Sequence, residues 1–150
     1  MESSETIKKR FRKINKTDIA YSAGMLDAEG SISGTNHPDK SPNVYVRAFS
    51  GNECKVADWL QSLWGGAISS RVNPSGVPIY LLLLRRDETI RYLKLVKPFL
   101  RIKRAQAECA LAFYSVYGAP AKRRRLVDKI QGLNRRFKIE SSPPATEGTD

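Results

Sequence analysis

Residues 22–30 read Ser-Ala-Gly-Met-Leu-Asp-Ala-Glu-Gly (SAGMLDAEG), and this stretch decides how the rest of the chain is interpreted. Thr17 or Asp18 can cap the start of a helix that continues from Ile19 to Leu26, because both side chains can accept a hydrogen bond from the first turn. Gly30 is expected to end that helix, since glycine commonly follows the last turn.

Small residues recur every four positions along this predicted helix, at Ala20, Gly24 and Ala28, so they share one stripe of its surface. Ala23 and Asp27 border the stripe. Small side chains allow two helix backbones to approach closely, and the stripe can pack on the chain's own core or on another chain. A separate apolar face suffices for the core; it is formed by Ile19, Met25 and Leu26. The stripe therefore predicts an interface with the same helix of a second copy.

The remaining sequence predicts an α+β domain. β-Branched and aromatic runs separated by turn residues predict four strands, and apolar residues at helical spacing predict the helices between them. The predicted strands cover residues 31–35, 44–50, 67–72 and 79–84, and the later helices cover 53–64, 87–98, 101–117 and 122–136. This order favours a four-stranded antiparallel sheet backed by helices.

Three segments together resemble the LAGLIDADG homing endonucleases. The first is 22–30, which departs from the signature at Ser22 and at Glu29, where the carboxylate is kept. The others are Leu-Trp-Gly-Gly at 63–66 and Pro-Phe-Leu-Arg-Ile-Lys-Arg-Ala-Gln at 98–106. The resemblance covers about residues 17–118 and implies an αββαββα fold whose sheet binds DNA.

The resemblance also implies an active site at the end of the first helix. Glu29 and the main-chain carbonyl of Ala28 would ligate the metal, and a two-fold axis would bring both copies of Glu29 together. Two carboxylates so close need a cation between them, and Mg²⁺ accepts such oxygen ligands. Mn²⁺ is the expected substitute, and Ca²⁺ is expected to bind without cleavage. Asp27 is expected to stabilise the helix end or the interface instead.

Lys103 aligns with the family's basic residue near the scissile phosphate, where it would stabilise developing charge or order the attacking water. Weaker candidates for this pocket are Arg101, Arg104 and Lys55. The strand-to-helix corner departs from the family, which usually places a water-positioning Gln or Asn there. Gly51 takes that place by spacing, and Asn52 would substitute if the corner shifted by one residue.

Alternate residues of the strands are predicted to face DNA, because neighbouring side chains in a strand point to opposite faces. Arg71 is the best candidate for a base contact, since a guanidinium can bind both acceptors of guanine. In the strand at 44–50 both alternating sets of residues are mixed in polarity, so the sequence does not decide which set faces DNA. The predicted DNA-facing residues are Ser31, Ser33, Thr35, Ser69, Arg71 and, by family alignment, Tyr80 and Leu82.

The charge distribution favours a polyanionic partner. The 150-residue chain has a formal charge of +11 and a pI of about 9.9, and residues 7–16 and 122–138 hold much of the excess. The predicted phosphate contacts are Lys122, Arg123, Arg124 and Arg125. The expected organisation is a basic extension at 1–16, the endonuclease core at 17–118, a basic helix at 119–138 and a disordered acidic tail at 139–150.

These observations favour a site-specific DNA endonuclease of the homing type, intron-encoded or otherwise mobile. It would act as a homodimer on a long pseudo-palindromic duplex. Two alternatives stay open: a non-cleaving binder on the same fold, either an RNA maturase or a degenerate nuclease, and a small nucleoid protein. The longest apolar run, 79–84, is far shorter than the roughly 20 residues of a spanning helix, so no membrane partner is expected. An intracellular location is expected, in prokaryotic cytoplasm or an organelle matrix.

Overall fold

The computed structural model describes residues 13–116 and 118–140, with side chains to residue 136. Most of the predicted basic extension and the last ten residues of the predicted tail lie outside this range. The first helix, α1, covers Lys16–Glu29. Its N-cap is Asn15, whose side chain accepts from the Asp18 amide at 2.8 Å, so Thr17 and Asp18 lie inside the first turn and the prediction that either caps the helix is wrong.

The α+β architecture with four antiparallel strands is confirmed. After α1 the chain forms, in order, β1 (Ser31–Thr35), β2 (Asn43–Gly51), α2 (Cys54–Trp64), β3 (Ala67–Val72), β4 (Pro78–Leu83), α3 (Arg86–Val96), a short 3₁₀ turn (Lys97–Phe99), α4 (Arg104–Ser115) and α5 (Pro120–Glu140). The strand order in the sheet is β1-β2-β4-β3, and all pairs are antiparallel. The helices contact one face of this sheet and leave the other open, which we call the outer face.

A β-bulge in β2 decides which side chains reach each face. The register with β4 shifts between Arg47 and Phe49, so Ala48 and Phe49 are consecutive and both are buried. Before the bulge Val44 and Val46 face the helices, and after it Ser50 faces outward opposite Leu81. The bulge explains the broken alternation in this part of the sequence.

Two glycines allow α2 to end in a tight turn before β3. Gly65 and Gly66 have φ of 80° and 87°, a region that side-chain-bearing residues rarely adopt. The buried Glu88 at the start of α3 accepts the Gly66 amide at 2.8 Å and the Arg85 amide at 3.0 Å. This carboxylate therefore joins the α2–β3 turn to the beginning of α3.

The last helix is packed into the core. Val127 and Ile130 of α5 are fully buried, and a β-carbon on Gly34 would lie 2.8 Å from Val127 Cγ1. Two side-chain amides of α5 also bond to the edge strand β1: Gln131 Nε2 donates to the Gly34 carbonyl at 2.9 Å and Asn134 Nδ2 to the Ile32 carbonyl at 2.8 Å. Helix α5 thus covers β1 and extends the hydrophobic core.

Candidate functional site

The C-terminal end of α1 presents two oxygen ligands of the kind expected for a divalent cation. Glu29 is the last residue of α1 and is exposed. The carbonyl of Ala28 belongs to the last turn, whose carbonyl groups have no helical N–H partner ahead of them. The chain then enters β1 through Gly30, so this end of α1 lies at the start of the sheet.

Asp27 and Lys103 connect this end of α1 to α4. One carboxylate oxygen of Asp27 accepts the amides of Arg101 at 2.8 Å and Ile102 at 3.2 Å, and the other accepts that of Lys103 at 3.0 Å. The Lys103 ammonium donates to the Asp27 carbonyl at 2.5 Å. These bonds keep residues 101–103 outside the helix, so α4 begins at Arg104 and the predicted start at Arg101 is wrong.

The environment of Lys103 shifts the pKa of its ammonium. Burial lowers the pKa of the Lys103 ammonium, because a charge is less stable away from water, and the Asp27 charge partly offsets this. Arg101 and Arg104, the weaker candidates, are exposed, and Arg104 donates to the carbonyls of Lys97 and Pro98. Lys103, immediately before α4, is the basic side chain that is bound to the end of α1.

The corner between β2 and α2 contains no water-positioning side chain at residue 51. A β-carbon on Gly51 would lie 2.7 Å from the ring atom Cζ of Phe49, so the bulged aromatic side chain fills the space there. Asn52 follows β2 as an exposed residue. Asn52 is therefore the side-chain carboxamide at this corner that could take the water-positioning role.

The outer face of the sheet contains most of the predicted DNA-facing residues. Directly paired residues of antiparallel strands share a face, and Ser69 and Arg71 pair with Leu81 and Ile79. Tyr80 and Leu82 lie instead on the opposite face, where Tyr80 packs against the core and Leu82 is fully buried, so their predicted place on the DNA face is wrong. The residues of β1 on the outer face are Ser31, Ser33 and Thr35.

Two further outer-face residues were left open by the sequence. Tyr45 pairs with Ser33 and Arg47 pairs with Ser31, which places both on the same face as the β1 hydroxyl groups. Tyr45 is 40% exposed and Arg47 is half-buried. The alternation of Val44, Tyr45 and Val46 contained this signal, but the bulge that follows obscured it.

The basic start of α5 divides into two kinds of residue. Lys122 and Arg125 are exposed, as expected of phosphate contacts. Arg124 instead donates to the carbonyls of His37 at 3.0 Å and Lys40 at 2.9 Å, and Arg123 lies 4.0 Å from the centre of the Phe113 ring. Arg123 and Arg124 therefore also serve within the fold, and a phosphate contact by either stays a prediction.

The small-residue stripe of α1 lies partly on the surface. Ala20, Gly24 and Ala28 are exposed, and a β-carbon on Gly24 would meet nothing within 4 Å. Ala23 is fully buried in the chain's own core, so its predicted place in a dimer interface is wrong. Asp27, the other bordering residue, is bound to residues 101–103 of its own chain. The surface available to a second copy is therefore narrower than predicted.

Ser22, one of the two departures from the family signature, is part of a buried polar network. Its hydroxyl accepts the Trp64 indole N–H at 2.8 Å and donates to the Asp18 carbonyl at 2.7 Å. Its carbonyl accepts the Tyr92 hydroxyl at 3.4 Å. The serine thus satisfies an indole donor in the core, which a leucine there would leave unpaired.

Among residues 13–116 and 118–140 there is no cluster of three or more Asp, Glu, His or Cys side chains that could hold an ion. A carboxylate with a main-chain carbonyl is nevertheless a donor pair suited to Mg²⁺, which keeps several waters and needs few protein ligands. In the same part of the chain, no helix has the length and apolar character needed to cross a membrane.

Comparison with known proteins assigns the fold. No protein-family model and no curated protein sequence matches the chain. Solved structures do match: the homing endonuclease I-CvuI with its target DNA (Sro1.3) and 2 mM Ca has a TM-score of 0.59 and 19% identity, over 90% of this chain and 87% of that one. The same enzyme with the I-CreI target and 2 mM Mg, in which the DNA is not cleaved, has a TM-score of 0.56 and 18% identity. That match covers 89% of this chain and 87% of the other.

The archaeal intron-encoded homing endonuclease I-Vdi141I complexed with DNA gives a TM-score of 0.60 and 16% identity, over 89% of each chain. These matches extend over nearly the whole chain, and their strand and helix arrangement agrees with the resemblance carried by residues 22–30. The chain has the fold of the LAGLIDADG homing endonucleases.

Proposed function

We propose that this protein is a site-specific DNA endonuclease that acts as a homodimer with a divalent metal ion. The observation that carries the proposal is the presence, at the end of α1, of an exposed carboxylate, Glu29, and of the Lys103 ammonium, which is anchored on the Asp27 carbonyl. Both lie where α1 meets the start of the sheet, whose outer face carries hydroxyl and guanidinium groups suited to DNA.

Gly24 supports the homodimer. A glycine inside a helix destabilises it by roughly 0.5–1 kcal/mol relative to alanine, and the space around Gly24 is open within the chain. The chain's own packing therefore gives no reason for this glycine, whereas close approach of a second α1 does. Tyr21, beside the stripe, is 52% exposed and packs edge-on against Trp59, with 5.2 Å between the two ring centroids. It adds apolar area to the same surface.

In such a dimer the two-fold axis would bring together two copies of Glu29 and of the Ala28 carbonyl, and these would hold the ion. When bound, Mg²⁺ supplies Lewis-acid activation of water and phosphate. Lys103 contributes a fixed positive charge that stabilises the negative charge developing on the phosphate. Asp27 positions Lys103 by binding the backbone on either side of Ile102.

A second candidate is a non-cleaving nucleic-acid binder on this fold, and the β2–α2 corner favours it. The Phe49 ring occupies the space that a side chain at residue 51 would need. If Asn52 does not position the water, no side chain at residue 51 can replace it. Under this candidate the protein would bind a specific duplex, or a structured RNA, without hydrolysing it.

Glu29→Gln tests the proposal, because it keeps the shape of the side chain and removes its charge. Duplexes selected for binding from a random library would be cloned into a plasmid, and cleavage and binding would be measured with Mg²⁺ and with EDTA. We expect cleavage to fall by orders of magnitude while binding persists. The matched control is Glu108→Gln, an exposed glutamate of α4, which should cleave as wild type does.

Full cleavage by Glu29→Gln would overturn the mechanism. Specific binding by the wild-type chain without cleavage in Mg²⁺ or Mn²⁺ would instead support the non-cleaving candidate.

A further inference from the structure

Strand β4, which lies between β2 and β3, has an aliphatic outer face. The outward residues of β4 are Ile79, Leu81 and Leu83, and none of their side chains can form a hydrogen bond. Leu83 is 42% exposed, whereas its inward neighbour Leu82 is fully buried. The hydrophobic core is on the inner face, so core packing does not explain leucines on the outer one.

Polar and cationic residues flank this aliphatic column. Leu81 lies between Ser50 and Ser69, and Leu83 lies between Arg47 and Ala67. Arg71 pairs with Ile79 and is exposed. The central part of a protein-docking surface is depleted of charge, whereas DNA-binding surfaces combine apolar and basic groups, so the flanking arginines and the net charge of +11 favour duplex DNA as the occupant.

Duplex DNA offers these leucines one specific partner. In the major groove the C5-methyl group of thymine is the apolar feature of the base edges, and the other groups there donate or accept hydrogen bonds. We propose that Leu81 and Leu83 recognise thymine methyl groups, so that the base pairs beneath β4 are specified as thymine by apolar contact. Arg71 reads a neighbouring guanine. This inference rests on the proposed DNA-binding function and names the specificity-determining residues of that surface.

The test uses the full chain in Ca²⁺ buffer, with duplexes selected for binding from a random library. Each thymine of the selected site is then replaced by deoxyuridine, which keeps every hydrogen-bonding group and removes only the methyl. At the positions that Leu81 and Leu83 contact, we expect affinity to fall about fourfold per methyl group. Thymines elsewhere in the site serve as internal controls.

Leu81→Ser and Leu83→Ser should abolish this difference between thymine and deoxyuridine. Leu83→Asn, which is close to leucine in size and has no methyl group, gives the same readout if the serine variant fails to fold. The matched control is Leu95→Ser, because Leu95 is a leucine of α3 with comparable exposure, 36%, away from the sheet. That variant should retain the full deoxyuridine effect.

Three results would overturn the inference, and they are distinguishable. Selective DNA binding without any deoxyuridine effect would overturn this inference alone. Absence of selective DNA binding would overturn the proposed function with it. Loss of self-association in sedimentation by Leu83→Ser, with DNA binding unchanged, would identify the column as a protein interface.

Discussion

The Asp27 carboxylate and the Lys103 side chain bind each other's backbone. Asp27 accepts the amide of Lys103, and the Lys103 ammonium donates to the carbonyl of Asp27. Asp27 also accepts the amides of the two residues before Lys103, so the link extends over residues 101–103. This reciprocal contact fixes the end of α1 against the start of α4, and through it an acidic helix end and a basic side chain are held at one place.

Asp27→Asn should reduce both stability and activity. The amide keeps one acceptor but loses the charge that strengthens three amide bonds, so we expect about 1–3 kcal/mol less free energy of unfolding. Cleavage should fall as well, since the backbone at Lys103 is held less firmly, although its ammonium keeps the main-chain carbonyl of residue 27. Urea denaturation and a cleavage assay check this, with Asp58→Asn on the exposed face of α2 as the control. Unchanged stability would show that the capping contact contributes little.

Ser22→Ala should destabilise the core by about 1–3 kcal/mol, because the buried indole N–H of Trp64 would lose its acceptor. Ser22→Leu should cost at least as much, since the larger side chain must also fit a fully buried position. Thermal denaturation measures both. The control Ser62→Ala removes an exposed hydroxyl of α2 and should change stability by less than about 0.5 kcal/mol.

Gly24→Leu should separate the dimer without unfolding the chain. The new side chain meets open space within one chain but would be inserted between two closely packed helices in the dimer. Sedimentation without DNA at micromolar concentration should show a wild-type dimer and a variant monomer, with the circular dichroism unchanged. Ala105→Leu, on an exposed position of α4, should remain dimeric. A monomeric wild type would contradict the proposed assembly.

The start of α5 should show two distinct mutational effects. Lys122→Ala should weaken binding to all duplexes alike and reduce the slope of log K against log salt by about one unit, because an exposed lysine at a phosphate releases counterions. Arg124→Ala should instead lower thermal stability by about 1 kcal/mol, since the loop carbonyls of His37 and Lys40 lose their donor. Equal effects on the salt slope would show that Arg124 also contacts phosphate.

Local sequence predicted the elements well wherever the signal is local. The turn residues after β3 and the glycines after α2 disfavour continuation of the strand and the helix, whatever these elements pack against. The structure ends β3 and α2 at these residues. The boundaries that shifted depend on distant partners. The start of α4 moved because Asp27, more than 70 residues away, binds the amides before it. The assignment of faces in β2 required the bulge, which depends on pairing with β4.

By itself, the sequence determined the α+β order of elements, the helix ending at Glu29 and Gly30, and the resemblance carried by residues 22–30, because these follow from local periodicity, capping and turn chemistry. Only the tertiary structure decided that Ala23 is core, that Tyr80 faces inward and that Arg124 holds a loop. Which face a residue occupies, and whether a charged group is already bound, depends on strand register and on contacts between segments far apart in the chain.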